Sequence, residues 1–230
     1  MSTLAQIRTS IQLTLQDDDY GDVELDEMIN DALLHIAGGV LMPNGLVSHP
    51  IPELYTTAIV TTVADQAYAD LPSDYQRGIF YVSNNDGDHI KPVDNCGYYD
   101  FRIWLNSMPH KDLSETGSVY RVAVKGKSLY YQGIPSTAEN LTIHYYREPD
   151  TMTAGTDEPD GLPSFLSKPL LKHYVLKEIF GEGIEDGEDS TGRGAAYHNQ
   201  KFYEAMQNLM DFLPMDEEPG YVNDLEQRIY

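Results

Sequence analysis

The chain has 230 residues, one cysteine, and 37 acidic against 15 basic side chains, a formal net charge of −22. That length carries a full hydrophobic core, and Cys96 by itself excludes an intrachain disulfide framework and a cysteine-based zinc site. The charge excludes a surface that grips phosphate broadly, and no run approaches the roughly 20 apolar residues of a bilayer span, so a soluble, intracellular protein without membrane contact is expected.

The N-terminus, MSTLAQIRTSIQLTLQDDD, lacks the basic region and apolar run of a signal peptide. Leu4, Ile7, Ile11 and Leu15 fall at helical spacing and predict a helix over residues 3–16, ended by Asp17, Asp18, Asp19, Tyr20 and Gly21. The acid run lacks the alternating ligands, central glycine and closing glutamate of an EF-hand, so it reads as a solvated turn. Over residues 22–39, Leu25, Met28, Ile29, Ala32, Leu33 and Ile36 form one stripe, and Glu24, Asp26, Glu27, Asn30 and Asp31 occupy the other side. Asp22 is placed to cap the first turn and Gly38-Gly39 to end the helix. The two helices make an antiparallel hairpin, and a loop rich in Gly, Pro and Asn follows to Pro52.

From Thr56 the period changes. The β-branched run Thr56 to Val63 predicts a strand, Asp70 to Asp74 a turn, and Ile79 to Ser83 a second strand turned back by Asn84 to Asp88 toward His89–Pro92. Tyr98 to Asn106 reads as a short helix on the sheet edge. Tyr120, Val122 and Val124 alternate with Arg121, Ala123 and Lys125, and Gly126-Lys127 closes this strand onto Ser128 to Gln132. In the last strand, Asn140 to Arg147, Leu141, Ile143 and Tyr145 alternate with Thr142, His144 and Tyr146. Seventeen tyrosines, against six phenylalanines and one tryptophan, point to half-buried strand and interface positions where a ring packs and a hydroxyl stays wet.

Helical spacing resumes after the Pro, Gly, Thr and Asp segment ending at Gly161. Leu162-Pro163 opens a helix whose face carries Phe165, Leu166, Leu170, Leu171, Tyr174, Val175, Leu176, Ile179 and Phe180, ended by Gly181 and Gly183. A further helix near Gly194 to Leu213 carries Ala195, Tyr197, Phe202, Ala205, Met206, Leu209 and Phe212, and Pro214 ends it. Two amphipathic helices on either side of a β segment predict an α+β fold: a helical bundle formed by N- and C-terminal helices with an inserted antiparallel β-sandwich-like unit. The expected divisions are residues 1–55 and 162–213 as the two bundle halves, 56–148 as the β domain of five or six strands, 149–161 as a linker, and 214–230 as an extended tail.

Motifs that carry chemistry are few. There is no G-x-S-x-G, Walker A loop, H-E-x-x-H or Rossmann glycine pattern, so no catalytic, metal or cofactor residues are assigned. Gly192-Arg193-Gly194 reads as a loop-to-helix junction before it reads as an anion site. His35 and His173, both on helices, read as half-buried or surface side chains before they read as ligands. Glu182, Glu185, Asp186, Glu188 and Asp189 form an acidic cluster, either solvated or facing a polyanion, and Asn140-Leu141-Thr142 is a glycosylation sequon of no consequence without secretion. The tail opens on Asp216, Glu217 and Glu218, too polar to fold alone, yet it ends in Tyr221, Val222, Leu225, Ile229 and Tyr230. It reads either as a frayed terminus or as a docking arm with Leu225 and Ile229 as helical anchors.

Three stretches carry a resemblance: ELDEMINDALLHIA (Glu24 to Ala37), VADQAYADLPSDYQRGIFYV (Val63 to Val82), and LTIHYYREPDTMTAGTDEPDGLPSFLSKPLLKHYVLKEIF (Leu141 to Phe180). In this order they resemble bacteriophage head-to-tail adaptor (connector) proteins, including the tail tubular protein A group of short-tailed phages. The resemblance implies a virion structural protein of the neck or tail, assembled in the host cytoplasm as a ring, commonly a dodecamer. Such a ring joins the portal protein to a tail or nozzle protein and lines the channel for passing genomic DNA without binding it specifically. It also implies that the C-terminal segment docks on the portal and that acidic clusters face the channel. Two alternatives stay open: another neck or tail protein that does not touch the portal, and a hydrolase with acidic catalytic residues.

Overall fold

A computed structural model describes residues 2–15, 20–92, 116–181 and 193–213. The chain separates into two units, one built from Met1–Leu54 with Glu148–Met215 and the other from Tyr55–Arg147 with Asp216–Tyr230. The short helix expected at Tyr98 to Asn106 lies outside the described residues.

The first unit holds four helices: α1 (Leu4–Leu15), α2 (Asp22–Gly38), α3 (Ser164–Gly181) and α4 (Arg193–Phe212). Leu4, Ile7 and Ile11 of α1 are fully buried, as are Leu25, Ile29 and Ala32 of α2, so each apolar stripe finds cover. The covering helix is α3, which packs against α1, α2 and α4 and buries Leu166, Leu170, Leu171, Val175, Leu176 and Ile179. Both ends of the chain thus supply one bundle, and the fold class is α+β.

Local details of α2 differ from what its sequence suggests. Its N-cap is Gly21, which makes no side-chain capping bond, and Asp22 sits inside the first turn. From there the Asp22 carboxylate turns toward α1, accepting a hydrogen bond from Gln12 Nε2 at 2.9 Å and lying 3.6 Å from Arg8. Arg8 also reaches Asp26 at 2.8 Å, one turn further along α2. Asp22 therefore ties helix to helix while its charge still faces the positive helix end. At the other end Gly39, at φ +103°, stops the helix as expected.

The segment expected as a linker is fixed to the helices by backbone. The amide of Leu4 donates to the Asp157 carbonyl at 2.8 Å and that of Ala5 to the Gly155 carbonyl at 3.0 Å. Asn30, in mid-α2, donates its side-chain amide to the Met152 carbonyl at 3.0 Å and accepts from the Met152 amide at 2.9 Å.

The second unit is a seven-stranded sheet: β1 (Tyr55–Thr61), β2 (Tyr68–Asp70), β3 (Tyr75–Ser83), β4 (His89–Pro92), β5 (Arg121–Lys125), β6 (Ser128–Gln132) and β7 (Asn140–Arg147). Their order is β1-β7-β3-β4-β5-β6-β2, and β2 returns to the side of β1, so the sheet curls over its own core. Pairings are antiparallel apart from β4 with β5, which is parallel. Val82, Val122, Leu129, Tyr131, Leu141, Ile143 and Tyr145 fill the interior. The Tyr131 hydroxyl donates to the Tyr68 carbonyl at 3.1 Å and that of Tyr145 to Asp74 Oδ1 at 2.8 Å, so neither buried phenol lacks a partner.

Strand β2 and the first residues of β3 depart from the expected strands. The first is only three residues long, and β3 shifts register between Tyr75 and Tyr81, which breaks the alternation that marks a strand in sequence. Gly126, at φ +61°, closes the β5–β6 hairpin as its sequence predicts.

Gly133 follows β6 at φ +84°, and a Cβ there would lie 2.2 Å from the Ser118 carbonyl oxygen. Replacing it with alanine combines a left-handed backbone with a backbone collision that no side chain can relieve. Gly133→Ala is expected to lower unfolding free energy by about 2–4 kcal/mol, read by urea denaturation against the wild-type chain.

Candidate functional site

The two groups of residues expected to carry function, the acidic cluster Glu182, Glu185, Asp186, Glu188 and Asp189 and the tail residues Tyr221, Val222, Leu225, Ile229 and Tyr230, lie outside the described residues. Gly192 does as well, while Arg193 and Gly194 begin α4. Among the described residues no group of three or more His, Cys, Asp or Glu side chains could hold a metal ion, and no helix is long and apolar enough to cross a membrane.

The acidic side of α2 divides in two. Glu24, Glu27 and Asp31 are exposed, whereas Asp26 is drawn toward α1 by Arg8. Burial raises the Asp26 pKa above the ordinary carboxylate value, outweighing the lowering by Arg8.

On the helical unit the aromatic and histidine side chains collect where α3 meets its neighbours. His35 of α2 places Nδ1 2.7 Å from the Tyr174 hydroxyl, and Tyr174 in turn meets Phe202 edge-on. Lys177 lies over the Tyr174 ring at 4.3 Å.

His173 has a partner that its own helix does not reveal. Its Nδ1 lies 2.8 Å from Nδ1 of His198 on α4, and His198 stacks on Phe180 with rings 6° from parallel. The inward stripe of α4 is in fact His198, Phe202, Ala205, Met206 and Leu209, so Tyr197 and Phe212, expected on it, are about half exposed instead. The signal was present: His198 sits one turn before Phe202, at the spacing that puts both on one face.

Two Nδ1 atoms at that distance share one proton, since one must donate and the other accept. Burial, then the neighbouring His173 and Lys172, hold the His198 pKa down to about 4 from its ordinary 6.5, and burial lowers His173 too.

The second unit carries a continuous aromatic array on the sheet face opposite its core. His144, which alternates with the buried Ile143 and Tyr145, is the register partner of Tyr81 and meets that ring edge-on at 5.2 Å. Tyr81 stacks on His89 at 4.8 Å, and the Tyr55 hydroxyl approaches His144 Nδ1 at 2.6 Å. Burial raises the Tyr55 pKa and lowers that of His144, so the phenol keeps its proton and donates to a neutral imidazole. The array spans β1, β7, β3 and β4.

What the described residues assemble is a mixed α+β fold, four helices in one unit and a seven-stranded sheet in the other. The family described as SU10 adaptor protein matches residues 2–228, nearly the whole chain. The chain belongs to this family, and with it to the head-to-tail adaptors of bacteriophages, structural virion components that work with other head and tail proteins. No curated protein matches the chain.

The histidine pair sets a pH dependence whose sign follows from its lowered values. Between about 6.5 and about 4 the unfolded chain takes up the His198 proton while the folded chain does not, so stability present above that window is lost as pH falls through it. Replacing His198 with Phe is expected to reduce that loss by on the order of 1–3 kcal/mol, read as the difference between wild-type and variant unfolding free energies at pH 7 and pH 4.5.

Proposed function

We propose that the chain is a ring-forming adaptor placed between the portal protein and a tail or nozzle protein, surrounding the channel through which genomic DNA passes. The observation that carries this reading is membership of the adaptor family over residues 2–228, on a chain whose net charge is −22. A polyanion moving through an acidic ring meets repulsion at every register, whereas lysines and arginines would create positions where it sticks. The cluster of Glu182, Glu185, Asp186, Glu188 and Asp189 and the exposed Glu24, Glu27 and Asp31 are the residues proposed for that lining. Electron microscopy of the protein with and without portal tests the arrangement. A ring with a central hole and inward acidic clusters is expected, and outward clusters would remove the channel role.

Docking on the portal is assigned to Tyr221, Val222, Leu225, Ile229 and Tyr230, an apolar end on a polar segment. Deleting residues 214–230 is expected to weaken portal capture in a pull-down by about tenfold or more while leaving the melting temperature unchanged. Unchanged capture would favour a neck or tail protein that does not meet the portal.

Contacts between copies are assigned to the aromatic array of Tyr55, Tyr81, His89 and His144. Tyr81→Ala is expected to shift assembly by about five- to tenfold in protein concentration, followed by sedimentation, with little change in the stability of the monomer.

A further inference from the structure

On a chain of net charge −22, lysines that lack a carboxylate are the exception. In the helical unit Lys177 pairs with Glu178 at 2.7 Å and Lys201 with Glu204 at 2.6 Å. Lys168 and Lys172, one turn apart on α3, make no ion pair among the described residues. Lys168 is exposed and Lys172 half-buried, and burial, then the charge of Lys168, lower the Lys172 pKa with no carboxylate to offset them. The doublet holds its charges against mutual repulsion until a carboxylate reaches it.

The sheet unit carries a doublet of the opposite sign. Asp86 and Asp88 stand exposed on the turn between β3 and β4, and neither makes an ion pair among the described residues. The turn is fixed from within. Asn84 Oδ1 accepts from the amides of Asp86 and Asp88 at 3.0 and 2.8 Å, the Asn84 amide donates to the Asp88 carbonyl at 3.1 Å, and the Gly87 amide donates to the Asn84 carbonyl at 3.1 Å. The carboxylates therefore sit on a rigid support, and contact has little left to order. The two strands joined by this turn carry Tyr81 and His89, the stacked pair of the array assigned above to contacts between copies.

Screening limits how far the net charge acts. At physiological salt the Debye length is about 8 Å, so two copies approach with most of their charge screened and are sorted by the groups that touch. With 37 acidic against 15 basic side chains, most orientations set carboxylate against carboxylate and are rejected. An unpaired lysine doublet is a place where an acidic turn rests without that repulsion. DNA, at about one charge per 1.7 Å of helix, overlaps far more of the acidic surface than so short a doublet offsets. We propose that Lys168 and Lys172 receive Asp86 and Asp88 of a second copy, a heterologous contact that fixes the register of one copy on the next. The proposal rests on the ring reading, because it names the receiving surface for a contact between copies.

The test follows self-association of the full chain by sedimentation across a range of protein concentration. Lys168→Glu with Lys172→Glu is expected to raise the concentration needed by about tenfold or more, and Asp86→Lys with Asp88→Lys to do the same. The second pair separates the contact from bulk repulsion: it brings the net charge nearer zero, so bulk repulsion alone would make it associate better. Mixing the two variants sets opposite charges against each other again, and association within about threefold of wild type is expected. Circular dichroism confirms that each variant folds, and the two pairs lie on different units, so one remains informative if the other does not fold. Association unchanged by either reversal, or no recovery in the mixture, overturns the contact and leaves the ring standing. A wild-type chain that stays monomeric throughout overturns the ring reading and the contact with it.

Discussion

The helical unit depends on one side chain joining parts of the chain far apart in sequence. Asn30, in the middle of α2, exchanges two hydrogen bonds with the backbone of Met152, one given and one received. Hydrophobic burial brings α2 and α3 together but is indifferent to small rotations or slips along the helix axis. An amide paired with the backbone N–H and C=O of one residue is not indifferent, because it is satisfied at one register and leaves polar groups unpaired at any other. With the Leu4 and Ala5 amides bound to the Asp157 and Gly155 carbonyls, the same short segment touches both N-terminal helices and leads into α3. The apolar stripes give the bundle its stability, and these bonds give it its alignment.

The β unit follows a related rule with tyrosine. Tyr131 and Tyr145 are enclosed among aliphatic side chains, yet each hydroxyl reaches a named acceptor. Burial raises the phenol pKa of both, so the donor is retained across the physiological range. On the other face, the Tyr55 hydroxyl meets His144 Nδ1 and the Tyr81 ring stacks on His89. A tyrosine-rich chain can therefore fill a core and build an aromatic array on the opposite sheet face with one residue type.

Much of this was readable from the residues. The stripes of α1 and α2 were, because leucine and isoleucine recurring at three and four residues share one face of a helix and would scatter over both faces of a strand. The last strand, with His144 and Tyr146 opposite Leu141, Ile143 and Tyr145, was readable by simple alternation. What escaped has physical causes. Asp22 suits a cap by composition, but Arg8 and Gln12 across the hairpin draw its carboxylate away, and nothing local announces them. Phe212 and Tyr197 look like core and His198 does not, so an apolar count assigns α4 the wrong edge of its stripe. The contact between His173 and His198 arises only when α3 and α4 pack, and no spacing within either helix encodes it.

The strands β1 and β7 open and close the inserted unit, and they are hydrogen-bonded neighbours in which Tyr55 lies opposite Tyr146. The chain therefore leaves and re-enters the helical unit at nearly the same point. Once the sheet has formed, everything between those two residues acts on the bundle as a tight loop, and the entropy of bringing its two halves together no longer grows with the length of the insertion. A domain joined in this way is modular: it can be lengthened, shortened or exchanged in evolution without the helices having to find a new way to meet.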